Sequence, residues 1–167
     1  AGTFEASVVS AHCALEAAAL LGEGHRETYA LCRPPGHHAY ADMAGGFCYL
    51  NNAAIAAQSL LASHERVAIL DFDVHHGNGT QDIFYERGDV HFVSIHADPH
   101  ETFPFYAGYA DETGEGAGEG YNLNLPVATG SADDAYLDAV AAGVTSLLAS
   151  GATALVVSVG FDAFAGD

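Results

Sequence analysis

Asp71, Asp73 and His75 stand two residues apart at the end of the apolar run Val67-Ala68-Ile69-Leu70, and the turn Gly77-Asn78-Gly79 follows at once. In an extended chain alternate side chains share a face, so these three would point the same way. Buried carboxylates are costly unless paired or bound to a cation. Two of them beside an imidazole at a strand's carboxyl end therefore invite a divalent ion, although an aspartate pair capping the next helix would look similar. Catalysis by an ion needs three protein ligands and an open position. Asp73, His75 and Asp162, the last following a final apolar run, supply them. Two oxygens and a nitrogen suit zinc, and ferrous iron accepts the same set. Such an ion lowers the pKa of water by several units and polarises a carbonyl. The adjacent His37-His38 pair is the natural acid–base machinery, because histidine titrates near neutrality. Asp71 can orient and charge-stabilise one imidazole, whereas Asn78 can only be a neutral partner for the other. The two histidines should then differ in pKa, one favoured as a cation and one as a base.

The elements that must position these groups read as alternating helices and strands. An alanine-rich helix is expected over residues 3–21, ended by Gly22 and Gly24, then a short strand over 28–32. The segment Arg33-Pro34-Pro35-Gly36-His37-His38-Ala39 is a loop, since two prolines bar regular structure. A second helix follows over 49–62, and the buried central strand begins at Val67. Thr80 reads as the cap of a short helix to Glu86, and 90–95 as another strand ending in His96. Residues 97–120 form a long irregular segment, the length of a functional lid or rim. A strand over 122–125, a helix reaching Ala149 with Ser131 and Asp134 as a capping box, and a strand over 152–159 complete the chain. This pattern predicts one α/β domain with a mainly parallel sheet flanked by helices. Ligands of such sheets gather beyond the carboxyl ends of the strands. Four strand ends carry the polar groups: His37-His38, Asp71 to Asn78, His96 and Asp162.

Composition bounds the partners. The 167 residues include four arginines and no lysine against 22 acidic residues, a formal net charge of −18. That excludes a basic nucleic-acid footprint and suits a cationic substrate through long-range attraction. The longest apolar stretches read as strand-sized, so no membrane span is expected, and no amino-terminal segment resembles a signal peptide. Cys13, Cys32 and Cys48 lack framework spacing, which makes a reducing cytoplasm the default. Cys48 reads as an inert core thiol.

Four motifs, Arg33-Pro34-Pro35-Gly36-His37-His38-Ala39, Gly46-Phe47-Cys48-Tyr49-Leu50-Asn51-Asn52-Ala53, Asp71-Phe72-Asp73-Val74-His75-His76-Gly77-Asn78-Gly79-Thr80 and Val157-Ser158-Val159-Gly160-Phe161-Asp162, resemble those of the histone deacetylase superfamily. The likeness runs from about Leu31 to the last residue. It is nearest the class II-like bacterial amidohydrolases, including acetylpolyamine amidohydrolases: Asn78 stands where class I enzymes carry aspartate, and Phe164 where many carry histidine. The resemblance implies an arginase/deacetylase-like fold with Asp73, His75 and Asp162 as zinc ligands. It makes His38 the main general base and pairs His37 with Asp71 and His38 with Asn78. It sets Phe47 and Phe103 as opposite walls of an acyl-amine tunnel, with the Gly46 carbonyl on the substrate amide. It also implies a structural potassium ion on backbone carbonyls of Asp71, Asp73 and His75 and the hydroxyl of Ser94.

The family's oxyanion-stabilising tyrosine or histidine lies well beyond the third ligand, and this chain ends five residues after Asp162. Residues 1–167 are therefore expected to be a single deacetylase-like catalytic domain truncated at both ends, and weak or inactive when isolated. The implied reaction is removal of an acetyl or other acyl group from an acetylpolyamine or acetyl-lysine. Two rivals stand beside it: a deacetylase-like binding or regulatory protein without catalysis, and a binuclear manganese ureohydrolase such as arginase, for which Asp167 is the sole hint of further bridging aspartates.

Overall fold

Five consecutive buried residues, Val67–Asp71, form β1 at the centre of a four-stranded sheet. Because the sheet is covered on both faces, β1 can be apolar throughout. In the computed structural model, which describes residues 2–163, it is flanked by β2 (Val90–Ala97) and β4 (Ala154–Ser158), and β2 by β3 (Asn122–Val127). The order is β3-β2-β1-β4, and every pairing is parallel. The predicted α/β sheet is present. One face, from Val67, Ile69, Val90 and Phe92, packs on α1 (Thr3–Gly22), α2 (Asn52–Leu60) and Phe84 of α3 (Asn78–Phe84). The other, from Ala68, Leu70, Val93 and Ile95, packs on α4 (Asp133–Ala149). The period-two split between faces is the one the pleat requires.

Several expectations are corrected. Residues 28–32 form no strand: the segment lacks a ladder partner among the described residues, and Tyr29 and Leu31 face solvent. The histidine pair therefore follows a loop, not a strand end. β1 stops at Asp71, and turns rather than an extended chain carry the next residues: Asp73 N–H donates to Asp71 Oδ1 at 3.2 Å and His75 N–H to Asp73 Oδ1 at 2.8 Å. Thr80 lies inside α3 and does not cap it; its hydroxyl pairs with the Asn51 side chain at 3.1 Å. Ser131 does not cap α4, whose N-cap is Ala132 without a side-chain bond. Asn51 is a cap that sequence reading missed, accepting from Ala54 N–H at 3.0 Å. α1, with 20 residues and a mean hydropathy of 1.3, is long and apolar enough to cross a membrane by length and composition, so not every apolar stretch is strand-sized. Here its small-residue stripe Ser7, Ser10, Ala11, Ala14 and Ala18 is buried, with Ala14 and Ala18 in the same cluster as α2's Ala54 and Ala57.

Candidate active site

Three strand ends and one loop meet at the carboxyl edge of the sheet. The loop is fixed by the helix it faces. N–H groups of Gly79 and Thr80, orphaned at the start of α3, donate to the His37 carbonyl at 3.0 and 3.1 Å. Asn51 Nδ2 donates to the Ala39 carbonyl at 3.0 Å. Gly79 is glycine for a steric reason, since a Cβ there would run into the Ala39 carbonyl. The segment carrying the histidines is thereby seated on the helix that carries Asn78.

Both imidazoles are buried, and each has one directed partner. His37 Nδ1–H donates to Oδ2 of the fully buried Asp71 at 2.9 Å, and His38 Nδ1 lies 2.6 Å from Asn78 Oδ1. Burial alone would push His37 down, but the Asp71 charge and hydrogen bond, with Asp73 and Asp162 behind them, outweigh it and raise its pKa to about 9. For His38 burial wins: reinforced by the neighbouring His37 charge and only partly opposed by Asn78, it lowers the pKa to about 4. The Asp71 carboxylate at one ring, and burial beside that cation at the other, thus give two adjacent histidines opposite protonation at neutral pH.

Beside them, ligand atoms of Asp73, His75 and Asp162 all lie within 4.8 Å of one another. His75 Nδ1 faces both carboxylates, 3.2 Å from Asp73 and 2.9 Å from Asp162. Asp162 also accepts from Val74 N–H at 3.2 Å, tying the end of β4 to the turn after β1. Burial, with Asp71 and Asp162 nearby, raises the Asp73 pKa despite His37. Gly160 makes the approach possible, because a Cβ would collide with the Asp73 carboxylate. Two carboxylates and an imidazole, half-buried and converging, fit a divalent cation in donor chemistry and spacing.

The remaining predicted residues fall as follows. Phe103 stands edge-on to His38 with ring centroids 5.0 Å apart, and 6.4 Å from His75. Its loop is held to the sheet by His96 Nε2–H donating to the Gly108 carbonyl at 2.9 Å. Gly46 packs on His38 so closely that a Cβ would overlap the ring, and both Gly46 (φ 53°) and Phe47 (φ 64°) are left-handed. For Phe47 that conformation is unfavourable and of the kind stored at functional sites. Its side chain is largely exposed. Ser94 is buried opposite Asp71 in the β1–β2 pairing, with its hydroxyl 2.8 Å from His96 Nδ1. Cys48 is buried, which pushes its thiol up to about 11. Phe164 and Asp167 lie outside the described residues. Sequence reading missed Tyr40, whose hydroxyl accepts from Asn78 Nδ2 at 2.9 Å, and the same role for Tyr106 at 3.3 Å. No periodicity or spacing marks such a contact.

The sequence profile of the histone deacetylase domain matches residues 1–167. The chain belongs to the histone deacetylase family. Among curated relatives it is 52% identical to the acetylpolyamine amidohydrolase of Mycoplana ramosa over 99% of this chain and 49% of the relative. It is 54% identical to acetylpolyamine amidohydrolase 2 of Pseudomonas aeruginosa over 100% of this chain and 49% of that protein. The crystal structure of an acetylpolyamine aminohydrolase from Burkholderia pseudomallei superposes with a TM-score of 0.91 at 56% identity, covering 93% of this chain and 45% of that one. This histone deacetylase family chain thus spans about half the length of the relatives it matches.

Proposed function

We propose that the protein hydrolyses the amide of an acetylated amine, with acetylpolyamines as the first substrate class and acetyl-lysine as the second. The observation that carries this reading is the pairing of a cationic and a neutral imidazole beside a three-ligand cation site. A divalent ion held by Asp73, His75 and Asp162, zinc before ferrous iron, would supply Lewis-acid activation of water and of the acyl carbonyl. His38, neutral and with Nδ1–H engaged by Asn78, presents the Nε2 lone pair that takes a proton from the attacking water. His37, kept cationic by Asp71, stabilises developing negative charge and holds a proton at Nε2 for the leaving amine. Phe103 walls one side of the acyl group, Phe47 the other, and the Gly46 carbonyl accepts from the substrate N–H.

The names of the relatives support a polyamine substrate, and the charge of −18 favours approach of a cation. A potassium ion beside Asp71 and Ser94 is part of this reading, as is a cytoplasmic location. The test is amine release by the zinc-loaded full-length protein from acetylputrescine and from an acetyl-lysyl peptide. Zinc-dependent turnover of either supports the reading; none of either, at one zinc per chain, overturns it in favour of a binding protein.

A further inference from the structure

Asn78 can serve His38 in only one orientation. With Oδ1 toward the ring it accepts from Nδ1–H and leaves Nε2 free as a base. With the amide turned over, the NH2 group would claim the Nδ1 lone pair and the proton would move to Nε2. The amide is buried, and its far side meets two phenols: Tyr40 at 2.9 Å and Tyr106 at 3.3 Å from Nδ2. A phenol can donate as well as accept, so its own proton must be spoken for. The Tyr40 hydroxyl donates to the Tyr106 oxygen at 3.4 Å, which leaves the Tyr40 oxygen as an acceptor toward Asn78.

We propose that Tyr40, assisted by Tyr106, is a positioning residue that fixes the Asn78 amide and thereby the Nδ1–H tautomer of His38. The chain of bonds runs Tyr106 ← Tyr40 ← Asn78 ← His38, each arrow from donor to acceptor, and it ends on the lone pair that does the chemistry. The bond to Tyr40, ahead of burial, raises the Tyr106 hydroxyl to about 12. An aspartate in place of Asn78 would present an oxygen either way round and would have no need of the clamp. The inference rests on the amidohydrolase reading for its kinetic consequence but not for its structural one.

The test combines a tautomer measurement with a substitution cycle on the full-length protein. Long-range nitrogen–proton NMR of labelled histidine should find His38 as the Nδ1–H form in the parent and as a mixture in Tyr40→Phe. With acetylputrescine, Tyr40→Phe should lower kcat roughly tenfold with little change in KM, and Tyr106→Phe, on an exposed side chain, less. A cavity of about 560 Å³ lined by Tyr40, Asn78 and Tyr106 admits water to the same amide, which limits the loss. In an Asn78→Asp background the Tyr40→Phe penalty should shrink to within about twofold. An equal penalty in both backgrounds, or an Nε2–H tautomer in the parent, would overturn the proposal. Absence of turnover in every variant would sink the amidohydrolase reading while the NMR result still decides the clamp.

Discussion

The two halves of the candidate site are built on opposite principles. On the histidine side both rings are buried, and Nδ1 of each has a partner at 2.6 or 2.9 Å. On the cation side two carboxylates and an imidazole crowd within 4.8 Å, partly open to solvent, and burial raises the Asp73 pKa. The first half is complete with protein partners alone. The second brings two carboxylates together, and on the proposed reading a cation would offset that charge. On the proposed reading, the contrast means that the imidazole pair is preorganised by the fold, whereas a Lewis acid would be added to it.

Loss of a ligand should break the contrast most severely. Asp73→Ala is expected to weaken zinc binding by at least about 1,000-fold, well beyond the 10–100-fold typical of an outer partner. Calorimetry checks the affinity, and a His37 Nδ1 proton signal that persists at low temperature checks that the bond to Asp71 survives. Asp71→Asn acts on the histidine side and should cost about 100-fold in kcat, because His37 loses the charge that overrides its burial. Zinc content measured alongside should stay near one per chain.

The pH dependence of stability sharpens the comparison next. His37 has its folded pKa raised from 6.5 to about 9, so its stabilisation is fully present below 6.5 and is lost as pH rises through 9. His38 is lowered from 6.5 to about 4, so the folded state resists the proton that the unfolded chain takes up, and stability falls as pH drops from 6.5 toward 4. The metal-free protein should therefore show a stability maximum near pH 6.5 from this pair, with up to about 3 kcal/mol on each limb. Urea unfolding across pH should show His37→Gln flattening the alkaline limb and His38→Gln the acid one. The smallest effect is expected at Cys48: the Cys48→Ala variant should keep kcat within about twofold, and the buried thiol should resist alkylation at pH 8 while Cys13 reacts.

Sequence was most informative where one residue type has few physical outlets. The apolar run before Asp71 could only be a buried strand, and β1 is one. Asp73, His75 and Asp162 were nominated by residue type, spacing and placement after apolar runs, and they converge, although turns and not strand alternation carry the first two. Propensity failed where tertiary partners decide. Residues 28–32 have strand composition but no neighbour to pair with among the described residues, and Thr80 gives up capping for a bond to Asn51. Ser131 misses its helix because α4 begins two residues later. Tyr40 was invisible because its contact with Asn78 joins positions 38 residues apart without any periodic trace.

The central claim is that His38 is the base and that the cation site stands apart from it. The most direct measurement is the kcat of zinc-loaded, full-length His38→Ala on acetylputrescine, with zinc counted in the same sample. The account predicts one zinc per chain and a kcat lower by roughly 10²–10⁴-fold. Full zinc with kcat near that of the parent would contradict it.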